Sequence, residues 1–360
     1  MQKVIAKIHL GNIRRNAERF ISWTGNPLCA VVKANAYGHG AEEVVNALEG
    51  IVDCFAVALI EEAMAIRTAV CGKDILIFTP PMDEEQAVAI AENGFVATVP
   101  DLWTAQLLVH VCEKWRLPMR VHLKINTGMN RYGMNVFMLG KVCKLLQGNP
   151  YLSVVGIYSH LYEYTYERAQ EQKQLFLQSV NVCRRYFPRV MTHLGGTYGA
   201  LLGGDFCGEC INMVRVGIGL YGYYPDDIAD IHAATYAALP LEKGMTLYGQ
   251  IVTNRHSSYG GMGYGAAWQK EDIQTLGRIS IGRFGYADGF LRQQRNGMHG
   301  GENNANNLCM DVCLRTGVRK RGERIPILTD AAKTAQIAGT ITHEVLCAAT
   351  RRAEFVYDMD

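Results

Sequence analysis

The 360-residue chain reads as an α/β protein, a (β/α)8 TIM-type barrel with a C-terminal all-β domain. Three observations predict this. Short apolar runs alternate with amphipathic helical patterns over roughly the first two thirds of the chain. These runs number eight, the strand count of such a barrel. Near residue 226 the alternation stops, and strand patterns with glycine-rich turns take over. A doubly wound sheet would also fit the alternation, so the count of eight is what favours the barrel.

The elements follow in order. Residues 1–10 alternate like a strand and carry no apolar signal-peptide core. Strand-like runs then occur at 28–33, 54–57, 75–78, 95–99, 119–125, 152–158, 190–194 and 213–216. Helical patterns lie between most of them, at 60–69, 84–92, 102–115, 136–146 and 167–186. Asp83 and Asp101 sit where N-caps belong. Beyond 226–240 no long helix is expected. Strands are expected at 247–253, 276–281, 308–314, 325–328 and 355–357. Residues 297–307, rich in Gly and Asn, read as a mobile loop. The division falls at 1–235 for the barrel and 236–360 for the β domain.

Composition narrows the function. A net charge of +2, with 19% charged residues, gives no case for nucleic acid or a charged membrane surface. No apolar run approaches the ~20 residues of a membrane span. The 11 cysteines form no disulfide framework, which suits reduced thiols in a cytoplasmic protein. Cys207 and Cys210 make a CxxC, but no second pair sits at zinc spacing, so no metal is expected.

Chemistry concentrates in Val31-Val32-Lys33-Ala34-Asn35-Ala36-Tyr37-Gly38-His39-Gly40. A lysine ends a buried strand, where α/β enzymes put their reacting groups. Burial favours the neutral amine that forms a Schiff base. The ten residues closely resemble the pyridoxal-phosphate lysine motif of alanine racemases, and five further motifs follow in family order.

The resemblance implies a pyridoxal 5'-phosphate enzyme, an amino-acid racemase working as a head-to-tail homodimer with shared active sites. Lys33 would carry the cofactor. Tyr37, Thr197, Gly217 and Ile218 would bind its phosphate, on loops after the last two barrel strands. The family usually has Asn-Ser where this chain has Gly196-Thr197. Arg215, in Asn212-Met213-Val214-Arg215-Val216-Gly217, would donate to the pyridine nitrogen and leave it unprotonated. Tyr264, in Gly263-Tyr264-Gly265-Ala266-Ala267-Trp268, would be the second base, opposite Lys33. His160 would contact Tyr264 and Arg215. Arg131 would hold the substrate carboxylate. Lys124 stands where many members carry a carbamylated lysine, and Asn126 replaces the usual aspartate. Tyr286 and Arg292 would line the mouth of the site, with Met310 touching substrate from the partner.

The resemblance also exposes departures. Arg351 falls where the family has a tyrosine beside the phosphate and the substrate side chain. Asn307 and Thr165 replace an arginine and an aspartate at the mouth. These changes leave two readings of the substrate, alanine or a polar amino acid such as serine. A non-catalytic pyridoxal-phosphate carrier would lack the second domain and the Tyr264 motif. A decarboxylase of the related barrel fold would pair with cysteine or aspartate machinery that is not found here.

Overall fold

The structure, a computed structural model, describes residues 4–226, 228, 233–256, 278–291 and 308–360. Its larger sheet holds β2 (Leu28–Val31), β3 (Cys54–Val57), β4 (Asp74–Ile77), β5 (Val96–Val99), β6 (Met119–Lys124), β7 (Leu152–Tyr158), β8 (Met191–His193) and β9 (Val214–Val216). All pairings are parallel, in the order β8-β7-β6-β5-β4-β3-β2-β9. Runs such as Leu-Cys-Ala-Val in β2 and Cys-Phe-Ala-Val in β3 are buried throughout. That is the pattern of strands covered on both faces. The two ends of the row also meet. The amides of Asn212 and Met213 donate to the carbonyl of Thr192 at 3.0 and 3.2 Å, closing the sheet into a barrel.

The barrel strands lie within a residue or two of their sequence positions. The helices Glu84–Glu92 and Leu102–Trp115 match their predicted spans, and Asp83 and Asp101 cap them, each accepting a backbone N–H at 2.8 Å. Among the described residues, no helix is long and apolar enough to cross a membrane.

The second sheet holds β1 (Ile5–His9), β10 (Met245–Arg255), β11 (Ile279–Arg283), β12 (Cys313–Thr316), β13 (Arg324–Leu328) and β14 (Glu354–Asp358). Two expectations change here. The first strand, placed by sequence with the barrel, pairs instead with β10 and β14. Its residues are buried alternately, which suits a sheet with one solvated face and not a doubly covered barrel strand. Nor is this part of the chain all-β, because it also contains the helices Ala331–Ala338 and Thr342–Ala349. They are short, at 8 residues each, so each offers only about two turns of pattern. The helix Leu10–Thr24 was also not anticipated.

The helix Thr342–Ala349 matters most for the site. It packs on the turn that follows β2: a Cβ on Gly38, where φ is +80°, would lie 2.5 Å from the Leu346 carbonyl oxygen. Glycine is required there on both counts. This contact brings the C-terminal segment to the barrel mouth.

Candidate active site

Sequence extends the β2 strand to Lys33, but the ladder ends at Val31. Lys33 instead opens a compact turn, Lys33–Gly38, in which Ala34, Asn35, Ala36 and Tyr37 all have φ of 53°. Left-handed backbone costs an ordinary L-residue about 1–2 kcal/mol. Several bonds hold the turn in place. The Ala34 amide donates to Glu62 Oε1 at 2.6 Å. The Ala41 amide donates to Asn35 Oδ1 at 2.8 Å, and the Gly40 amide to the Asn35 carbonyl at 3.0 Å. His39 Nδ1 donates to the carbonyls of Ala36 and Tyr37, each at 3.0 Å. Burial and the neighbouring Arg131 lower the pKa of the Lys33 amine, while Glu62 and Cys347 oppose them.

Lys33 faces a cavity of about 350 Å³ at the barrel mouth. Lys33, Lys124, Arg131 and Arg215 line it, and no carboxylate does among the described residues. Two arginines and two lysines, with no carboxylate beside them among the described residues, make a receptor for an anionic ligand.

Below the cavity a polar chain runs through the barrel interior. Arg215 Nη1 donates to His193 Nδ1 at 2.5 Å, and Nη2 donates to the Ser159 carbonyl at 2.7 Å. An arginine cannot accept, so His193 Nδ1 must be bare and Nε2 must carry the proton. That proton is donated to His122 Nδ1, 2.9 Å away. Burial, then the Arg215 charge, pushes His122 down to about 3 and His193 well below the usual imidazole range. Tyr158 stacks on His193 at a centroid distance of 4.9 Å and an interplanar angle of 9°. Lys124 Nζ sits 4.7 Å and Arg215 Cζ 5.1 Å from the Tyr158 ring centre. Lys124 is buried beside Arg215 and Arg131, and burial above all drives its pKa well down. It is thus held toward the neutral amine, the form that carbamylation needs. His122 and Lys124 are alternate residues of β6, so period-2 reading of that strand would have placed both on one face.

A glycine-lined cradle forms one end of the cavity. Thr197 Oγ1 accepts the amides of Gly217 and Gly219 at 3.3 and 3.1 Å, tying the loops after β8 and β9 together. A Cβ on Gly217 would overlap the Tyr37 hydroxyl, and one on Gly219 would lie 2.8 Å from Thr197 Cγ2. The Tyr37 ring packs on Tyr221 at 4.9 Å. Tyr37, Thr197, Gly217 and Ile218 all line the cavity. His160 does too, against Gly196, where burial and the surrounding cations keep it neutral. Its expected partner Tyr264 lies outside the described residues, as do Arg292 and Asn307. The hydrogen bonds of Arg215 go to His193 and Ser159, partners that sequence reasoning missed.

Arg131 reaches the cavity from a loop organised by Asn126, whose Oδ1 accepts the amides of Gly128 and Asn130 at 3.0 and 3.1 Å. An aspartate would accept the same bonds, so the replacement preserves the loop. Thr165 serves as the N-cap of the helix Tyr166–Arg184.

Arg351 is a correction. It is exposed beyond the C-terminal end of the helix Thr342–Ala349 and does not line the cavity. His343, in the first turn of that helix, does. The helix points its N-terminus at the cavity, and eight residues carry Arg351 about two turns away. His343 lies 5.7 Å from the Tyr37 ring, with Nδ1 3.7 Å from Asp226 Oδ2. Asp226 is itself fixed by the amide and hydroxyl of Thr342.

Tyr286 and Met310 lie in the connection between β11 and β12, 38% and 52% exposed, and line no part of this cavity. A buried carboxylate holds their loops. Asp288 accepts the Gly285 amide at 2.8 Å, Arg283 at 3.0 Å and Arg352 at 2.9 Å, and Arg352 also bonds Asp311 at 2.9 Å.

Known proteins resemble the chain along nearly its whole length. Residues 8–225 match the family model described as alanine racemase, N-terminal domain, and residues 244–357 the one described as alanine racemase, C-terminal domain. The alanine racemase of Chlorobaculum tepidum is 30% identical over 371 residues, covering 96% of this chain and 93% of that protein. That of Francisella tularensis subsp. mediasiatica is 31% identical over 296 residues, covering 80% of this chain and 77% of its own. The solved alanine racemase of Clostridium difficile 630 superposes with a TM-score of 0.87 at 28% identity, covering 99% of this chain and 96% of that one.

Proposed function

The chain belongs to the alanine racemase family, and on that premise we propose that it interconverts L- and D-alanine in the cation-lined cavity. The family depends on pyridoxal phosphate, and the residues present fit that group. The observation that carries the reading is a lysine of lowered pKa in a cavity lined by four basic side chains, itself included, with no carboxylate among the described lining residues and a glycine cradle at one end. When bound, the cofactor supplies an electron sink that acidifies the hydrogen on the substrate Cα.

The chain's own residues do the rest. Lys33 holds the cofactor, then takes or returns the Cα proton on one face. Its lowered pKa makes the free amine more available than in an exposed lysine. Tyr264 is the base on the opposite face, a role that rests on the motif resemblance. Arg131 holds the substrate carboxylate. Arg215 directs a guanidinium hydrogen to the pyridine nitrogen. It stays charged, and its two bonds to His193 and Ser159 fix its plane. Thr197, Tyr37, Gly217 and Ile218 receive the phosphate.

The exposed Tyr286 and Met310 support a site shared between two copies, each lending its second sheet to the other's cavity. A further observation favours a second substrate. His343 puts a polar imidazole at the cavity wall near Asp226, and that suits a serine hydroxyl.

The test is enantiomer-resolved chromatography of an amino-acid panel, with and without added pyridoxal phosphate. L-Alanine should run to an equal mixture of enantiomers, and only with the cofactor. If no D-alanine forms in the loaded protein, the proposal fails.

A further inference from the structure

Glu62 has no part in the chemistry above, yet it stands directly behind Lys33. It lies in the first turn of the helix Ile60–Ile66, after β3. Its Oε1 accepts the Ala34 amide at 2.6 Å, the first peptide N–H after the lysine. Its Oε2 accepts the amides of Ala58 and Leu59 at 2.8 and 3.1 Å. One carboxylate therefore joins two barrel loops, the one bearing Lys33 and the next around the barrel. The Ala34 bond falls at the start of the four left-handed residues, where the turn departs from ordinary backbone.

The charge is placed as deliberately as the bonds. The groups facing the Lys33 amine are Arg131, Glu62, Cys347 of the helix Thr342–Ala349, His160 and His343. Both imidazoles are pushed toward neutrality by burial, and the Cys347 thiol is pushed up. Arg131 is the opposing cation, so Glu62 carries the balancing negative charge.

We propose that Glu62 is a positioning residue for Lys33: it pins the left-handed turn that aims the amine into the cavity and sets a negative charge behind it. Capture of the cofactor then depends on a carboxylate that does not line the cavity. This rests on the reading of Lys33 as the cofactor lysine.

The experiment follows uptake of pyridoxal phosphate by the full-length, cofactor-stripped protein, read as the growth of visible absorbance in a stopped-flow instrument across pH. The wild-type rate should rise with pH as the amine loses its proton. Glu62→Gln loses the charge, and its one oxygen can keep only part of the bonds that the carboxylate makes to Ala34, Ala58 and Leu59. Its midpoint should fall by about half a unit to one unit. Glu62→Asp keeps the charge but loses reach. Its midpoint should stay near that of the wild type, while its limiting rate falls about tenfold or more. Amide exchange at Ala34 should quicken in Glu62→Asp. A wild-type midpoint in Glu62→Gln, or a wild-type limiting rate in Glu62→Asp, overturns the inference. Lys33→Ala separates the two levels. If it still takes up the cofactor covalently, the reading of Lys33 is wrong. If it does not, and the Glu62 variants match wild type, only the role of Glu62 is wrong.

Discussion

Acid should destabilise this chain well before its carboxylates titrate, because its buried histidines are held neutral. His39 is fully buried with Nδ1 committed to two carbonyls, and burial lowers it to about 4. His122 lies within the barrel, and burial followed by the charges of Arg215 and Arg120 lowers it to about 3. An unfolded histidine titrates near 6.5. Below that pH the unfolded chain binds a proton at each site and the folded chain does not. Each imidazole then removes about 1.4 kcal/mol of stability per pH unit. The stability is whole above about 6.5 and is lost progressively as pH falls toward the folded values. Between about pH 6.5 and pH 5 the loss is about 2 kcal/mol for each, or about 4 kcal/mol for the pair. His160 and His193 shift in the same direction and add to it. Urea unfolding followed by tryptophan fluorescence, at fixed protein concentration across this window, reads the slope. His122→Asn should reduce that slope by about 1.4 kcal/mol per unit whatever it does to stability at pH 7. A flat profile, or a slope unchanged in His122→Asn, would refute the account of the buried network.

Three further outcomes follow from the site. Gly217→Ala would drive a methyl into the Tyr37 hydroxyl, and overpacking of about 1–3 kcal/mol should weaken pyridoxal-phosphate affinity about tenfold or more by equilibrium dialysis. Unchanged affinity would remove that loop from the phosphate end. Mixing inactive Lys33→Ala with inactive Tyr264→Phe should restore activity, since one of the two sites in a mixed dimer is intact. Mixtures that exchange subunits and stay inactive would argue for sites built from single chains. His343→Tyr should raise the alanine-to-serine ratio of kcat/KM by about tenfold, while Arg351→Tyr should leave it unchanged. The reverse result would return Arg351 to the pocket.

The barrel was legible because its strands are apolar on both faces and its helices are capped by Asp83 and Asp101. Such local signals need no knowledge of neighbours. What stayed hidden depends on distant pairing. The first strand of the chain reads the same whichever sheet receives it, and only its pairing with β10 and β14 assigns it. The left-handed turn after Lys33 was not legible either, because Ala34 and Ala36 are residues that rarely accept positive φ. In the site, Lys33, Tyr37, Arg131, His160, Thr197, Arg215, Gly217 and Ile218 were named from sequence and share one cavity. His193, His122 and Glu62 were missed because each acts by touching another side chain or backbone group across the barrel. The Arg351 error was one of phase. His343, at the start of the helix Thr342–Ala349 and not a residue beyond its end, lines the cavity.

The central claim, that Lys33 is the lysine that holds the cofactor, has a direct chemical test. The loaded protein is reduced with borohydride, digested, and the pyridoxyl group located by peptide mass spectrometry. Lys124 is the discriminating alternative, since it lines the same cavity and burial lowers its pKa as well. The account predicts the group on the peptide containing Lys33, with none on Lys124. A pyridoxyl group on Lys124, or on any lysine outside the cavity, would contradict it.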